Sequence, residues 1–121
     1  MRDYKKLQIW ELSRVLAKEV YVLTGKLPKS EVYGLVSQMR RAAVSVIFNI
    51  GEECRCDSNK EFIQFLRISI GSVKELECQA YVSLDVGFID ETEFDFIMKK
   101  LDELSKKIWA YLKYLKVENE K

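Results

Sequence analysis

The 121-residue sequence contains no histidine, and this absence excludes several common kinds of active site. Ser-His-Asp and Cys-His catalytic arrangements need an imidazole as general base. Histidine-ligated zinc sites, diiron bundles with Glu-x-x-His pairs and histidine pH switches are excluded as well. The carboxylates that stand out by their spacing, Glu61, Asp90 and Glu93, lie where helix capping explains them. We therefore expect no enzymatic activity and no cofactor.

Proline and glycine are scarce, and long apolar runs are missing. One proline and five glycines provide too few tight turns for an all-β sandwich. The apolar runs are far shorter than the roughly 20 residues that cross a bilayer, and the amino terminus lacks an uninterrupted apolar signal segment. We expect a single domain over residues 1–121, located in the cytoplasm and without membrane contact.

Cysteine is also rare, with Cys54, Cys56 and Cys78 forming an odd set. Cys54 and Cys56 are too close in sequence for a relaxed disulfide. Reduced cytoplasmic thiols fit this pattern best. A metal site is the lesser alternative, because neighbouring carboxylates would have to complete it.

Apolar residues recur at every third or fourth position along four stretches, which is the period of an α-helix. Ser30, Ser58 and Asp90 are placed to cap the second, third and fourth helices. Short connections between four helices predict an all-α, up-down-up-down antiparallel four-helix bundle. The expected helices cover about residues 7–24, 31–53, 59–86 and 91–116.

Charge is distributed unevenly along the chain. Residues 1–74 hold 13 basic and 8 acidic side chains, whereas residues 75–121 hold 7 and 11. One interpretation is that oppositely charged helices attract each other across the bundle surface. The other is a basic face that binds nucleic acid.

Lys60, Arg67 and Lys74 recur at steps of seven, which places three cations on nearly one line of the third helix. A line about 20 Å long could follow a phosphate backbone, although a solvated outer face has the same pattern. Arg14 and Lys18 on the first helix either widen this patch or pair with nearby acids.

The second helix carries adjacent arginines that point about 100° apart. Arg40 is the better candidate for a phosphate contact. Arg41 begins a polar line, at steps of four, four and three, that continues through Ser45, Asn49 and Glu52. This line predicts a buried or subunit-bridging polar network, which either fixes helix register or reads a ligand.

Phe48 lies opposite the main apolar seam of the second helix, and Trp10 lies off the seam of the first. Exposed aromatic rings of this size are unfavourable in water. We expect both side chains at contacts between subunits.

Several segments together resemble a known protein family. The stretch QMRRAAVSVIFNIGE over residues 38–52, followed by SNKEFIQFL over 58–66, resembles the four-helix-bundle proteins encoded by intervening sequences of bacterial 23S rRNA genes. The chain is more distantly similar to the accessory variability determinant proteins of diversity-generating retroelements. These resemblances imply a homopentamer that binds rRNA, another structured RNA or another nucleic acid, with no established enzymatic activity. A protein-interaction scaffold that binds no nucleic acid is the alternative.

The sequence departs from the usual family pattern in the second helix. A proline commonly follows the Ser-Val or Ser-Ile pair in the family, and Ile47 stands there instead. Because a proline inside a helix removes a backbone hydrogen bond and kinks the rod, we expect a straighter second helix here.

Overall fold

The computed structural model describes residues 7–53 and 58–120, which form four α-helices. No strand occurs in these two ranges. The predicted all-α four-helix fold is confirmed. The helices are α1 (Gln8–Thr24), α2 (Leu35–Glu53), α3 (Asn59–Asp85) and α4 (Glu91–Glu120).

Each helix packs against the helices that precede and follow it, and α1 also packs against α4. The α2 and α3 chains run in opposite directions, because Ser83 late in α3 meets Met39 early in α2, whereas Ser69 reaches Val46. The other helices in contact are antiparallel as well, because a residue near the end of one contacts a residue near the start of the other. The contacts are Thr24–Arg40, Phe62–Tyr111, Tyr81–Phe94 and Lys26–Glu93.

The core fills the centre of this four-helix arrangement. Phe62 in α3 is fully buried and its ring lies 5.6 Å from that of Tyr111. Burying a side chain of this size removes enough apolar surface from water to contribute about 1.5–3 kcal/mol. The apolar side chains of α4 that face the core follow the predicted spacing. Each is at most 2% exposed, and they are Ile97, Leu101, Leu104, Ile108, Leu112 and Leu115.

Two of the three predicted helix caps are present. The Ser58 hydroxyl accepts a hydrogen bond from the Glu61 N–H at 3.2 Å. Asp90 and Glu93 form a complete capping box, in which each side chain accepts from the other residue's backbone N–H, at 2.8 and 3.0 Å. These contacts satisfy donors that a helix start leaves unpaired.

The expected start of the second helix is wrong. After Pro28 the chain forms a 3₁₀-helix over Lys29–Glu31 and then a turn, so that α2 begins at Leu35 rather than at 31. Ser30 therefore lies within the 3₁₀-helix and caps nothing. Gly34 ends the turn, and its low helix propensity delays the α-helix. From Leu35, α2 continues through Ile47 without a break.

Candidate functional site

Lys60, Arg67 and Lys74 all lie exposed on the outer face of α3, as predicted. We call these three residues the α3 cation row. They point outward because Phe62, Leu66, Ser69 and Val73 face the core. The Lys74 Nζ lies 3.2 Å from a Glu77 carboxylate oxygen, whereas Lys60 and Arg67 form no ion pair with any residue in 7–53 or 58–120.

The central part of the α3 cation row carries an excess of positive charge, although Glu61 follows Lys60 and Glu77 pairs with Lys74. The chain from Gln64 to Lys74 contains no acidic residue. The row also begins at the amino-terminal end of a 27-residue helix, where the helix dipole carries partial positive charge. This part of α3 therefore attracts anions.

Arg14 and Lys18 do not extend this surface, so the alternative in which they widen the cation patch is wrong. Helix α1 packs on α2 and α4, so it lies diagonally across the bundle from α3, and the outer faces of the two helices point apart. Arg14 instead lies 3.8 Å from Glu11 and 6.0 Å from the Trp10 ring. Lys18 is exposed on the same side of the molecule.

Arg40 has a structural position that the sequence did not indicate. Its Nε donates to Thr24 Oγ1 at 2.9 Å, its Nη2 donates to the Tyr21 carbonyl at 3.3 Å, and its guanidinium lies 4.6 Å from the centre of the Tyr21 ring. The Arg40 cation therefore binds the carboxyl-terminal end of α1, where basic groups are favourable. Of the two arginines, it is Arg41 whose side chain is exposed.

The predicted polar line forms a network at its centre. Asn49 Nδ2 donates to the Ser45 carbonyl and hydroxyl at 2.8 and 3.1 Å, and the Ser72 hydroxyl of α3 donates to the Ser45 hydroxyl at 2.9 Å. These bonds join α2 to α3 within one chain. Arg41 lies outside the network, and Glu52 is half-buried near the end of α2.

A groove runs beside this network, between α2 and α3, and encloses about 490 Å³. The exposed groups Arg41, Glu75 and Cys78 lie along it. Gln79 also lines the groove, is 8% exposed, and has a buried Oε1 with no hydrogen-bond donor among the described residues. The remaining lining residues are Gln38, Ala42, Ser45 and Ser72. We call this feature the α2–α3 groove.

This groove is not evident from the sequence, because the residue pattern of each helix describes that helix alone. Glu75, Cys78 and Gln79 share one side of α3, at spacings of three and one. Their convergence with Arg41 depends on how α2 and α3 are aligned, and no single-helix pattern specifies that alignment.

Exposed apolar side chains collect on the outer side of α1 and α2. Phe48 is 61% exposed, as its position opposite the seam predicted, and Tyr33 is 96% exposed. Trp10 is different, since it is half-buried and packs against the core near Gly51. We use the term aromatic surface for Tyr21, Val32, Tyr33, Val44 and Phe48.

Residues 7–53 and 58–120 contain neither a metal site nor a membrane-spanning helix. No cluster of metal-ligating side chains occurs in residues 7–53 and 58–120. Cys54 and Cys56 lie outside the described residues, and Cys78 is a free, exposed thiol. None of the helices, over the residues described, combines the length and apolar character of a membrane span.

Comparisons with known proteins give one family and one informative structure. The family model for 23S rRNA-intervening sequence proteins matches residues 5–110. A crystal structure of a protein of unknown function from the S23 ribosomal protein family of Bacteroides thetaiotaomicron is similar with a TM-score of 0.81. It is 21% identical over 87% of this chain and 95% of that chain, so it supports the fold alone. No curated protein matches the sequence.

Proposed function

The chain belongs to the family of 23S rRNA-intervening sequence proteins, and on this premise we propose that it is a non-enzymatic, self-associating bundle that binds structured RNA through the α3 cation row. The observation that carries the proposal is the exposure of Lys60, Arg67 and Lys74 along one continuous helix. Successive cations are about 10 Å apart along the helix axis. That spacing lets the row contact a phosphate backbone over several nucleotides.

The fourth helix provides a matched comparison for this surface. Lys99, Lys106 and Lys113 also recur at steps of seven and are exposed. Asp102 and Glu103 lie between the first two of these lysines, and Lys106 lies 3.0 Å from Asp102. Residues Leu104 to Val117 of α4 also lack acidic side chains, so α3 is favoured for a different reason: its cation row begins at the positive amino-terminal end of the helix, whereas Lys106 and Lys113 lie toward the carboxyl-terminal end of α4.

The test is a fluorescence-anisotropy titration of purified, nuclease-treated protein with a labelled intervening-sequence hairpin and a DNA duplex of equal length, at several salt concentrations. Changing the α3 cation row to glutamine should weaken hairpin binding and lower the slope of log K against log salt by about 2–3 in magnitude. The control variant changes Lys99, Lys106 and Lys113 to glutamine and should retain more of the affinity and slope. Equal losses in the two variants would show that total charge, not this face, governs binding.

Self-association is supported by the aromatic surface. Five exposed apolar side chains on α1, α2 and the turn between them exceed the scattered single exposures of an ordinary monomer. We assign a second copy of the chain as the occupant, and the resemblance to the retroelement accessory proteins favours a pentamer. Sedimentation equilibrium should give a mass above 14.2 kDa per particle, and a monomer at micromolar concentration would contradict this assignment.

The aromatic surface would also suit a different protein as partner, which makes a scaffold the alternative function. Monomeric protein that binds neither the hairpin nor the duplex would favour that alternative. Salt-sensitive hairpin binding by an oligomer supports the function proposed here.

A further inference from the structure

The α2–α3 groove holds two opposite charges that have no partner. Arg41 and Glu75 line the same groove from different helices. Neither forms an ion pair or hydrogen bond with a described residue. A ligand that satisfies both would have to offer acceptors to the guanidinium and donors to the carboxylate.

Gln79 adds a buried polar atom without a hydrogen-bond donor at the same place. Its side chain is 8% exposed, and its Oε1 has no hydrogen-bond donor among the described residues. An amide oxygen buried without a donor is unfavourable, whereas most buried polar groups in proteins are paired. Rotation about the last torsion of Gln79 would allow this oxygen to accept from a group inside the groove.

The lining and volume of the groove suit a small ligand. Ala42, Ser45 and Ser72 contribute small side chains to its lining, and its volume of about 490 Å³ lies in the usual range for small-molecule sites. Ser45 and Ser72 are held by their mutual hydrogen bond of 2.9 Å. This part of the lining is therefore fixed before a ligand enters.

Guanine has a pattern of donors and acceptors that is complementary to Glu75 and Arg41. Its Watson–Crick edge presents two adjacent donors, N1–H and the N2 amino group, which match a carboxylate. Its O6 and N7 acceptors match an arginine, which is the most common specific contact to this base. Adenine lacks the carbonyl, and uracil and cytosine lack both the N7 acceptor and the pair of adjacent donors.

We propose that the α2–α3 groove binds an unpaired guanine of the RNA, with Glu75 accepting from N1–H and N2–H and Arg41 donating to O6 and N7. This inference rests on the proposed function, because the α3 cation row supplies the contact to the backbone. Lys74 of that row lies one turn before Cys78 on the same side of α3, and Cys78 lines the groove, so a strand that follows the row reaches the groove. Unpaired loop bases are the usual targets of sequence-specific RNA recognition.

The experiment compares two labelled hairpins that share one stem and differ in a single loop base, guanine or adenine. Wild-type protein should bind the guanine hairpin about tenfold more tightly, as a bidentate contact to a base edge provides. Glu75→Gln should bring the two affinities within about twofold of each other. Glu103→Gln, which removes the same charge from an exposed position on α4, should retain the preference.

A second measurement reports on the groove directly. In amide NMR spectra, guanosine 5′-monophosphate should shift the Gln79 side-chain amide resonances of the wild-type protein, and adenosine 5′-monophosphate should leave them in place. Equal responses to the two nucleotides would overturn the assignment of the groove.

The outcomes separate this inference from the proposed function. Equal, salt-sensitive binding of the two hairpins by wild-type protein would overturn guanine recognition and leave RNA binding by the cation row intact. A guanine preference that survives in Glu75→Gln would place recognition elsewhere. Absence of binding to either hairpin would overturn both proposals.

Discussion

Replacing Arg40 by alanine should destabilise the fold without weakening RNA binding. This variant tests whether Arg40 has a structural role and Arg41, its neighbour, is the arginine available to RNA. Arg40 joins the start of α2 to the end of α1 through Thr24 and Tyr21. Arg41 has an exposed side chain on the rim of the α2–α3 groove. Alanine at either position keeps high helix propensity, so the pair compares tertiary contacts alone.

The magnitude follows from the contacts that are lost. The charged hydrogen bond to Thr24 contributes about 1 kcal/mol at a half-exposed position, the longer bond to the Tyr21 carbonyl adds a few tenths, and the cation–π contact contributes about 0.5 kcal/mol. Thr24 Oγ1 still donates to the Val20 carbonyl at 2.7 Å, and the Tyr21 carbonyl still accepts from the Gly25 N–H. No buried group is left unpaired, so we expect a total loss of about 2 kcal/mol.

Thermal and chemical unfolding provide the assay. With an unfolding entropy of about 2.1 cal/mol/K per residue, a loss of about 2 kcal/mol lowers the Tm of a chain of this length by about 8 °C. Arg41→Ala should shift the Tm by less than about 2 °C and weaken binding of the guanine hairpin. The assignment is refuted if Arg40→Ala melts like wild type but loses RNA affinity, because Arg40 would then be the phosphate contact that its sequence position suggested.

Two further predictions concern the ion pair and the aromatic surface. Glu93 accepts hydrogen bonds from Lys26 Nζ, at 2.7 Å, and from the Asp90 N–H, and these bonds hold the pKa of Glu93 below its ordinary 4.5. The ionised Glu93 therefore stabilises the fold fully above pH 4.5, and this stabilisation is lost as the pH falls through the lowered pKa. Urea unfolding should show Glu93→Gln less stable than wild type at pH 7, with a difference that shrinks as the pH falls below 4.5; a difference that stays constant in acid would contradict this reasoning. Phe48→Ala should shift the sedimenting mass toward that of the monomer. The control Ile68→Ala, also at an exposed apolar position, should leave the mass of the assembly unchanged. Equal behaviour of the two variants would show that Phe48 does not lie in the interface.

The helices and the core could be predicted from the sequence because both depend on local periodicity. Phe62, Leu66 and Val73 are buried where the seam of α3 placed them. The Asp90–Glu93 capping box formed because all four groups involved lie within one turn. The start of α2 was misplaced because the 3₁₀-helix after Pro28 and the propensity of Gly34 compete with the cap that Ser30 offered, and such competition involves energies of only about 1 kcal/mol.

The roles of individual polar residues were harder to predict, because they depend on the relative positions of two helices. Arg40 and Arg41 differ by one position in the sequence, yet only Arg40 reaches the end of α1. Ser45 and Asn49 were expected to interact by spacing alone, but their partner Ser72 is 27 residues away from Ser45 in α3. The network thus fixes the register of α2 against α3.

That same register accounts for the α2–α3 groove. The Ser45–Ser72 hydrogen bond brings two small side chains together, so the helices meet there without a large side chain filling the space between them. Longer side chains one turn away, Arg41 on α2 and Glu75 on α3, are then left at the rim with their charged groups in solvent. The paired small residues Ser45 and Ser72 therefore hold the two helices in register and form the fixed part of the lining of the groove beside them, which links the stability of the fold to the proposed recognition of guanine.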